Sequence, residues 1–216
     1  MKNLKVKEMT TLGILCAMAV IVNLLVYFPI VPAVSFLKYD PKDIVIVIGG
    51  FIYGPFAAFI MSAICSILEI FFRGGTVLDV VMNVISTCAF ACTASFIYKK
   101  NRTKKGAIIG LIVGVFTTTV CMIIWNYIVT PIYFGMPREA VVGMMLPGII
   151  PFNLLKSGLN AGITLFLYKS IVTILRKTSL VESGETENKQ NYHLIIIGLF
   201  VTITIICIVL ILQGII

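Results

Sequence analysis

Asn153, Lys156 and Asn160 recur at i, i+3 and i+7 inside a long apolar run, with Ser157 between them. That spacing stacks all three on one helix face. An ammonium in such a setting needs partners, and amides or the hydroxyls and carbonyls of a small molecule supply them. Asp79 and Asn83 form an i, i+4 pair at the start of another apolar run, continued by Ser86 and Thr87. Asn126, Tyr127 and Thr130 end a third run beside Trp125, and Glu69 lies near the end of a fourth. Polar groups in hydrocarbon are costly and mark cavities or pathways. Gathered from several helices, these groups describe a small-molecule pocket, with aromatic walls suited to a planar heteroaromatic ligand. The plainer readings are a lysine snorkelling to the interface, an N-cap aspartate, an Asp79–Lys156 pair and interfacial aromatic residues.

Catalytic motifs are sparse. Asp40 and Asp43 have the DxxD spacing that holds Mg²⁺ in membrane prenyl and phospho-alcohol transferases. The further carboxylates of those enzymes are missing, so the segment is read as a lid or loop anchor. Walker A, HExxH, GxSxG and GxGxxG motifs are absent. The chain is expected to be no enzyme and to hold no metal and no cofactor. Cys16, Cys65, Cys88, Cys92, Cys121 and Cys207 all fall in apolar runs with no Cys-x-x-Cys, which points to packing rather than disulfides or metal.

The elements that must carry these residues follow from composition. The 216 residues are 59% hydrophobic and 12% charged, with mean hydropathy +1.07, whereas soluble domains are about 25% charged. With roughly 20 apolar residues needed per crossing, the chain holds six or seven membrane helices and no sizeable soluble domain. The net charge of +8 sits in short loops between apolar runs, the pattern that orients membrane proteins rather than one that binds nucleic acid.

Spans are expected at about 9–28, 43–53 (too short to cross alone), 56–72, 79–98, 106–130 (stopped by Pro131), 148–175 and 194–216. The first run is longer than a signal-peptide core and is read as a retained span. A connector covers 29–42, a second covers 131–147, and a polar linker covers 178–193. The predicted organisation is a six-span capture domain at 1–177, the linker, and an additional helix at 194–216. Eleven Lys and Arg on one side of this layout, against five on the other, put the N-terminus and the 99–105 loop in the cytoplasm. The C-terminus then ends outside, and the polar cluster lies near the outer face. Gly13 and Ala17 make a small-xxx-small face on the first span, fit for close helix packing or for docking a partner.

Four segments carry a resemblance: FLKYDPKDIVIVIGGFIYGP (36–55), VMNVIST (81–87), NYIVTPIY (126–133) and IPFNLLKSGLN (150–160). Over residues 9–177 the chain resembles the riboflavin-binding S components of energy-coupling factor (ECF) vitamin transporters. The resemblance implies an all-α, six-helix membrane fold that captures riboflavin from outside, here with one more C-terminal helix. It implies a membrane coupling protein and two cytoplasmic ATPases as partners, with Gly13 and Ala17 at the docking face. On this reading Tyr39, Asp40, Glu69, Asp79, Asn83, Asn126, Tyr127, Thr130, Asn153, Lys156 and Asn160 form the substrate site. The competing expectations are an S component for another vitamin (thiamine, biotin or a pterin), an integral-membrane transferase dependent on Asp40, Asp43 or Asp79, and a structural membrane protein without a ligand.

Overall fold

The computed structural model describes residues 2–177 and 192–215, and these are helical throughout apart from connectors. The elements are α1 (Lys2–Leu25), α2 (Lys42–Tyr53), α3 (Pro55–Arg73), α4 (Val77–Lys100), α5 (Lys104–Phe134), α6 (Arg138–Met144), α7 (Ile150–Lys177) and α8 (Tyr192–Leu212). A π-type turn at Met145–Ile149 joins α6 to α7, so that Arg138–Tyr168 forms one membrane-length span. Among the described residues no strand forms; the sole extended pairing is a bridge between Phe28 and Tyr39. The expected polar linker falls largely on residues 178–191, which lie outside the described residues.

α2 is the hub. Its 12 residues rise about 18 Å, short of the roughly 30 Å hydrocarbon core. It can hide its ends only inside the bundle, and every residue from Lys42 to Phe51 is buried. Helices α1, α3, α4 and α7 surround it. Gly50 is what lets α4 come so near: a Cβ there would sit 2.9 Å from Ala58 Cβ and on top of Ser95 Oγ. Beyond it, the rings of Phe51 and Tyr98 lie 4.5 Å apart, and the Tyr98 and Tyr168 hydroxyls hydrogen-bond at 3.1 Å. These groups fill the bundle at that end.

Several boundaries differ from those expected, and α1 already ends at Leu25 rather than at 28. α5 does not stop at Pro131 but runs on to Phe134. Proline removes one backbone hydrogen bond near a helix end, a loss tolerated in membrane helices. Gly135, left-handed at φ 63°, provides the stop, and Met136 N donates to Pro131 O at 3.2 Å. The 131–147 connector is likewise largely helical, as α6 and the π-type turn. Pro147 lies within this π-type turn. α4 begins two residues earlier than expected, since Thr76 and Asp79 close a capping box.

Two buried apolar clusters divide the interior. One joins α1 to α5 around Leu15, Val47, Met61, Phe90 and Leu111. The other joins the 26–39 connector to α6, α7 and α8 around Ile30, Val34, Ile149, Phe152 and Val209. All six cysteines carry free thiols.

Helices α4 and α5 pack at glycine contacts: a Cβ on Gly110 would lie 2.7 Å from Ala94 O. Gly110→Ala is therefore expected to cost about 1–3 kcal/mol, seen as a lower thermal midpoint in detergent. Gly143→Ala meets nothing within 4 Å and should be neutral or stabilising. Equal midpoints for the two variants would refute this account of the α4–α5 contact.

Candidate functional site

A cavity of about 510 Å³ opens at the end of the bundle that carries Lys38 and Arg73. Ligand pockets typically enclose about 300–1,000 Å³. Phe36, Leu37, Lys38 and Asp40 of the connector form one wall. Glu69 and Arg73 of α3 and Asp79, Met82 and Asn83 of α4 form another, and Phe152, Asn153 and Lys156 of α7 close the third. A smaller lobe of about 200 Å³ shares Phe36, Leu37, Asp79 and Met82 with it and continues to Trp125, Asn126, Thr130 and Tyr133.

Ion pairs build the floor. Lys156 Nζ donates to Asp40 Oδ2 at 2.7 Å. Lys42 Nζ lies 3.6 Å from Asp40 Oδ1 and 2.6 Å from Glu69 Oε2. Glu69 also accepts from Arg73 at 3.5 Å and from Asn83 Nδ2 at 3.3 Å. Arg73 reaches the side chain of Asn23 at 3.2 Å and the Asn23 carbonyl, while its guanidinium lies 3.5 Å over the Tyr27 ring. The network thus ties α1, the connector, α2, α3, α4 and α7 together. Burial alone would raise the Asp40 carboxyl, but Lys156 and then Lys42 outweigh it and hold the group at about 2. Asp40 is therefore an anion that fixes Lys156 in place.

A second polar layer lies directly behind. Tyr39 Oη donates to Asn160 Oδ1 at 3.0 Å, Thr87 Oγ1 donates to Asp43 Oδ1 at 2.7 Å, and Asn160 Nδ2 approaches Asp43 Oδ2 at 3.4 Å. Tyr39 and Asn160 are buried here and face one another rather than the cavity. The i, i+3, i+7 face of α7 is thereby divided: Asn153 and Lys156 line the cavity, and Asn160 supports it. Asn153 Nδ2 is held by Ile149 O at 2.8 Å.

The remaining expected residues fall in three places. Asp79 lines both lobes, caps α4 through Thr76, and accepts from Tyr133 Oη at 3.0 Å. It does not pair with Lys156, whose counter-ion is Asp40. Asn126 and Thr130 line the smaller lobe, with Asn126 Nδ2 bonded to Met122 O at 2.7 Å and Thr130 Oγ1 to Asn126 Oδ1 at 2.8 Å. Tyr127 lines neither lobe; it is exposed beneath Arg138, whose guanidinium is 5.1 Å from its ring. Gly13 and Ala17 share an exposed face of α1, remote from the cavity.

Sequence reasoning gave Lys42 and Arg73 weight only as loop charges and overlooked Asn23. The available signal was a lone asparagine within an apolar span, and a Lys-Asp pair opening a helix too short to leave the bundle. Among the described residues no cluster of His, Cys, Asp and Glu is arranged to hold a metal.

A multi-span helical bundle with a polar cavity at one end is the architecture of a membrane protein that binds a solute. The family model for the substrate-specific component of ECF transporters matches residues 7–168. The chain belongs to this family, whose members are transport components rather than enzymes. The riboflavin transporter FmnP of Bacillus subtilis is 30% identical over 81% of this chain and 94% of its own length. The riboflavin transporter RibU of Staphylococcus aureus is 28% identical over 79% of this chain and 93% of its own. A solved structure of the S component of a bacterial ECF transporter superposes with a TM-score of 0.67 at 29% identity, covering 80% of this chain and 99% of that one. The helical membrane architecture expected from the sequence agrees with this neighbour.

The Asp40–Lys156 pair gives a direct test. Asp40→Asn or Lys156→Met removes one partner of a buried pair and should cost about 3–5 kcal/mol in chemical or thermal unfolding in detergent. The double variant should cost clearly less than the two single losses together, by at least about 1 kcal/mol. Strictly additive losses would mean that the two groups are not energetically coupled.

Proposed function

We propose that this chain captures riboflavin in the cavity between the connector, α3, α4 and α7, and delivers it inward with an ATPase-driven ECF module. The observation that carries this reading is the charge balance of the cavity wall. Lys38, Arg73 and Lys156 face Asp40, Glu69 and Asp79. Such a wall suits a neutral ligand with many hydroxyls and carbonyls. It offers no surplus anion for a thiazolium such as thiamine, and no surplus cation for a carboxylate such as biotin. Phe36, Met82, Phe152 and the Trp125 lobe supply flat apolar walls for a ring system. The relatives named above are riboflavin transporters, and family membership supports the same ligand class.

In this reading Asn83, Asn153, Lys156, Glu69, Asp79 and Asp40 meet the ligand. Tyr39 and Asn160 hold them from behind, and Asn126 and Thr130 shape the smaller lobe. The basic 99–105 loop and the N-terminus face the cytoplasm, which turns the cavity outward, and the C-terminus of α8 lies outside. Residues 1–177 form the capture unit, 178–193 a polar linker, and 194–216 an added membrane helix. The exposed Gly13–Ala17 face of α1 docks the membrane coupling protein, which two cytoplasmic ATPases drive.

Titration of the purified protein with riboflavin should quench flavin fluorescence to a one-to-one end point, with thiamine and biotin inert. Lys156→Ala should weaken binding about tenfold or more and Asn83→Ala about three- to tenfold, the scales of losing a charge-assisted and a neutral hydrogen bond. No quenching by folded wild-type protein would reject riboflavin. For the docking face, Gly13→Leu should abolish riboflavin uptake by cells while binding to the purified protein stays unchanged. Uptake at the wild-type rate would place docking elsewhere.

A further inference from the structure

Helix α8 lies beyond the segment matched by the family model, which ends at residue 168, yet it is firmly built into the bundle. Gly162 of α7 and Gly198 of α8 face one another: a Cβ on Gly198 would come within 2.8 Å of Gly162 O, and one on Gly162 within 2.8 Å of Thr202 Oγ1. The two backbones touch there. From that contact α8 runs toward the cavity end, and Ile205 and Val209 enter the apolar cluster that holds Ile30, Val34, Leu37 and Phe152. Just past the helix end, Gln213 Nε2 donates to Pro29 O at 2.7 Å.

The connector reached in this way is the cavity wall that is not regular helix. It is pinned at its base by the Phe28–Tyr39 bridge, with Tyr39 N donating to Phe28 O at 2.8 Å. Val34 is wedged against Gly148 so closely that a Cβ at that glycine would sit 2.4 Å from Val34 Cγ1. Its far limb presents Phe36, Leu37, Lys38 and Asp40 to the cavity. One side of this loop is therefore ligand wall, and the other rests on α7 and α8.

We propose that α8 is a positioning element for the ligand site: its C-terminal turn, through Gln213 and Val209, holds the 29–41 connector closed over the cavity and so slows ligand release. The proposal rests on reading that cavity as the ligand site. Gln213 lines neither lobe of the cavity and acts through Pro29 and the connector.

Trp125 is the single tryptophan of the chain and shares the smaller lobe with Phe36 and Leu37, so its solvent access reports the connector's position without any ligand. The test uses the full-length protein in nanodiscs. Gln213→Leu removes the donor, Gln213→Lys keeps one, and Phe200→Leu alters an exposed residue of the same helix. Two quantities are read: the riboflavin dissociation rate by stopped-flow fluorescence, and acrylamide quenching of Trp125 in ligand-free protein. Gln213→Leu is expected to raise the dissociation rate about three- to tenfold, the scale of one hydrogen bond, and to increase Trp125 quenching. Gln213→Lys and Phe200→Leu should match wild type in both. The proposal is overturned if Gln213→Leu matches wild type, or if Gln213→Lys fails to restore what Gln213→Leu loses. Should wild-type protein bind no riboflavin, the Trp125 comparison still decides the role of α8, and the failure is then assigned to the ligand.

Discussion

Everything at the cavity end depends on charged side chains drawn largely out of bulk water into one network. Asp40, Lys42, Glu69, Arg73 and Lys156 come from the connector, α2, α3 and α7, and each neutralises the next. Removing any two of these elements from one another would strand a charge in a medium where that is costly. The network therefore fixes geometry more than it adds stability. It sets where the short helix α2 begins, how far the connector folds inward, and which way Lys156 points. An apolar floor of equal volume could pack as well, but it would leave nothing for a polar ligand to meet.

Much of the architecture is legible in the sequence because hydrocarbon enforces a simple rule: long apolar runs become helices, and their spacing counts them. The short run at 43–53 is informative for the same reason, since a helix of that length has to be buried. The boundaries that escaped, at Pro131 and at 138–149, are places where a local rule about proline met a membrane helix able to tolerate a missing hydrogen bond. The candidate site was legible as polar residues gathered toward one end of the bundle. Their division into wall and support was not. Nothing in the spacing of Asn153, Lys156 and Asn160 says that the third would turn to Tyr39 and Asp43, because that choice depends on where α2 and the connector lie. Tyr127 shows the opposite failure, for its neighbours Asn126 and Thr130 are buried while it sits outside beneath Arg138.

The two apolar clusters give the bundle two mechanical regions. Around α1 to α5, glycine contacts and the rings of Phe51, Tyr98 and Tyr168 make a close-packed body. Around the connector, α6, α7 and α8, the packing contains a π-type turn and an irregular loop whose buried Ile30, Val31, Val34 and Leu37 seat it on the helices. The one cavity wall that is not regular helix, Phe36 to Asp40, therefore belongs to the second region.

The balance of charge around the cavity has a consequence for energy coupling. Moving one elementary charge through 100 mV of membrane potential involves about 2.3 kcal/mol. The ionisable groups here, buried Lys42 and Lys156 with half-buried Arg73 against Asp40, Asp43 and Glu69, are three of each sign. A change of orientation that carried this region across the bilayer with an uncharged cargo would perform almost no electrical work on its own ions. The membrane potential would then act on such a movement only through charges elsewhere in the chain, whose net charge is +8.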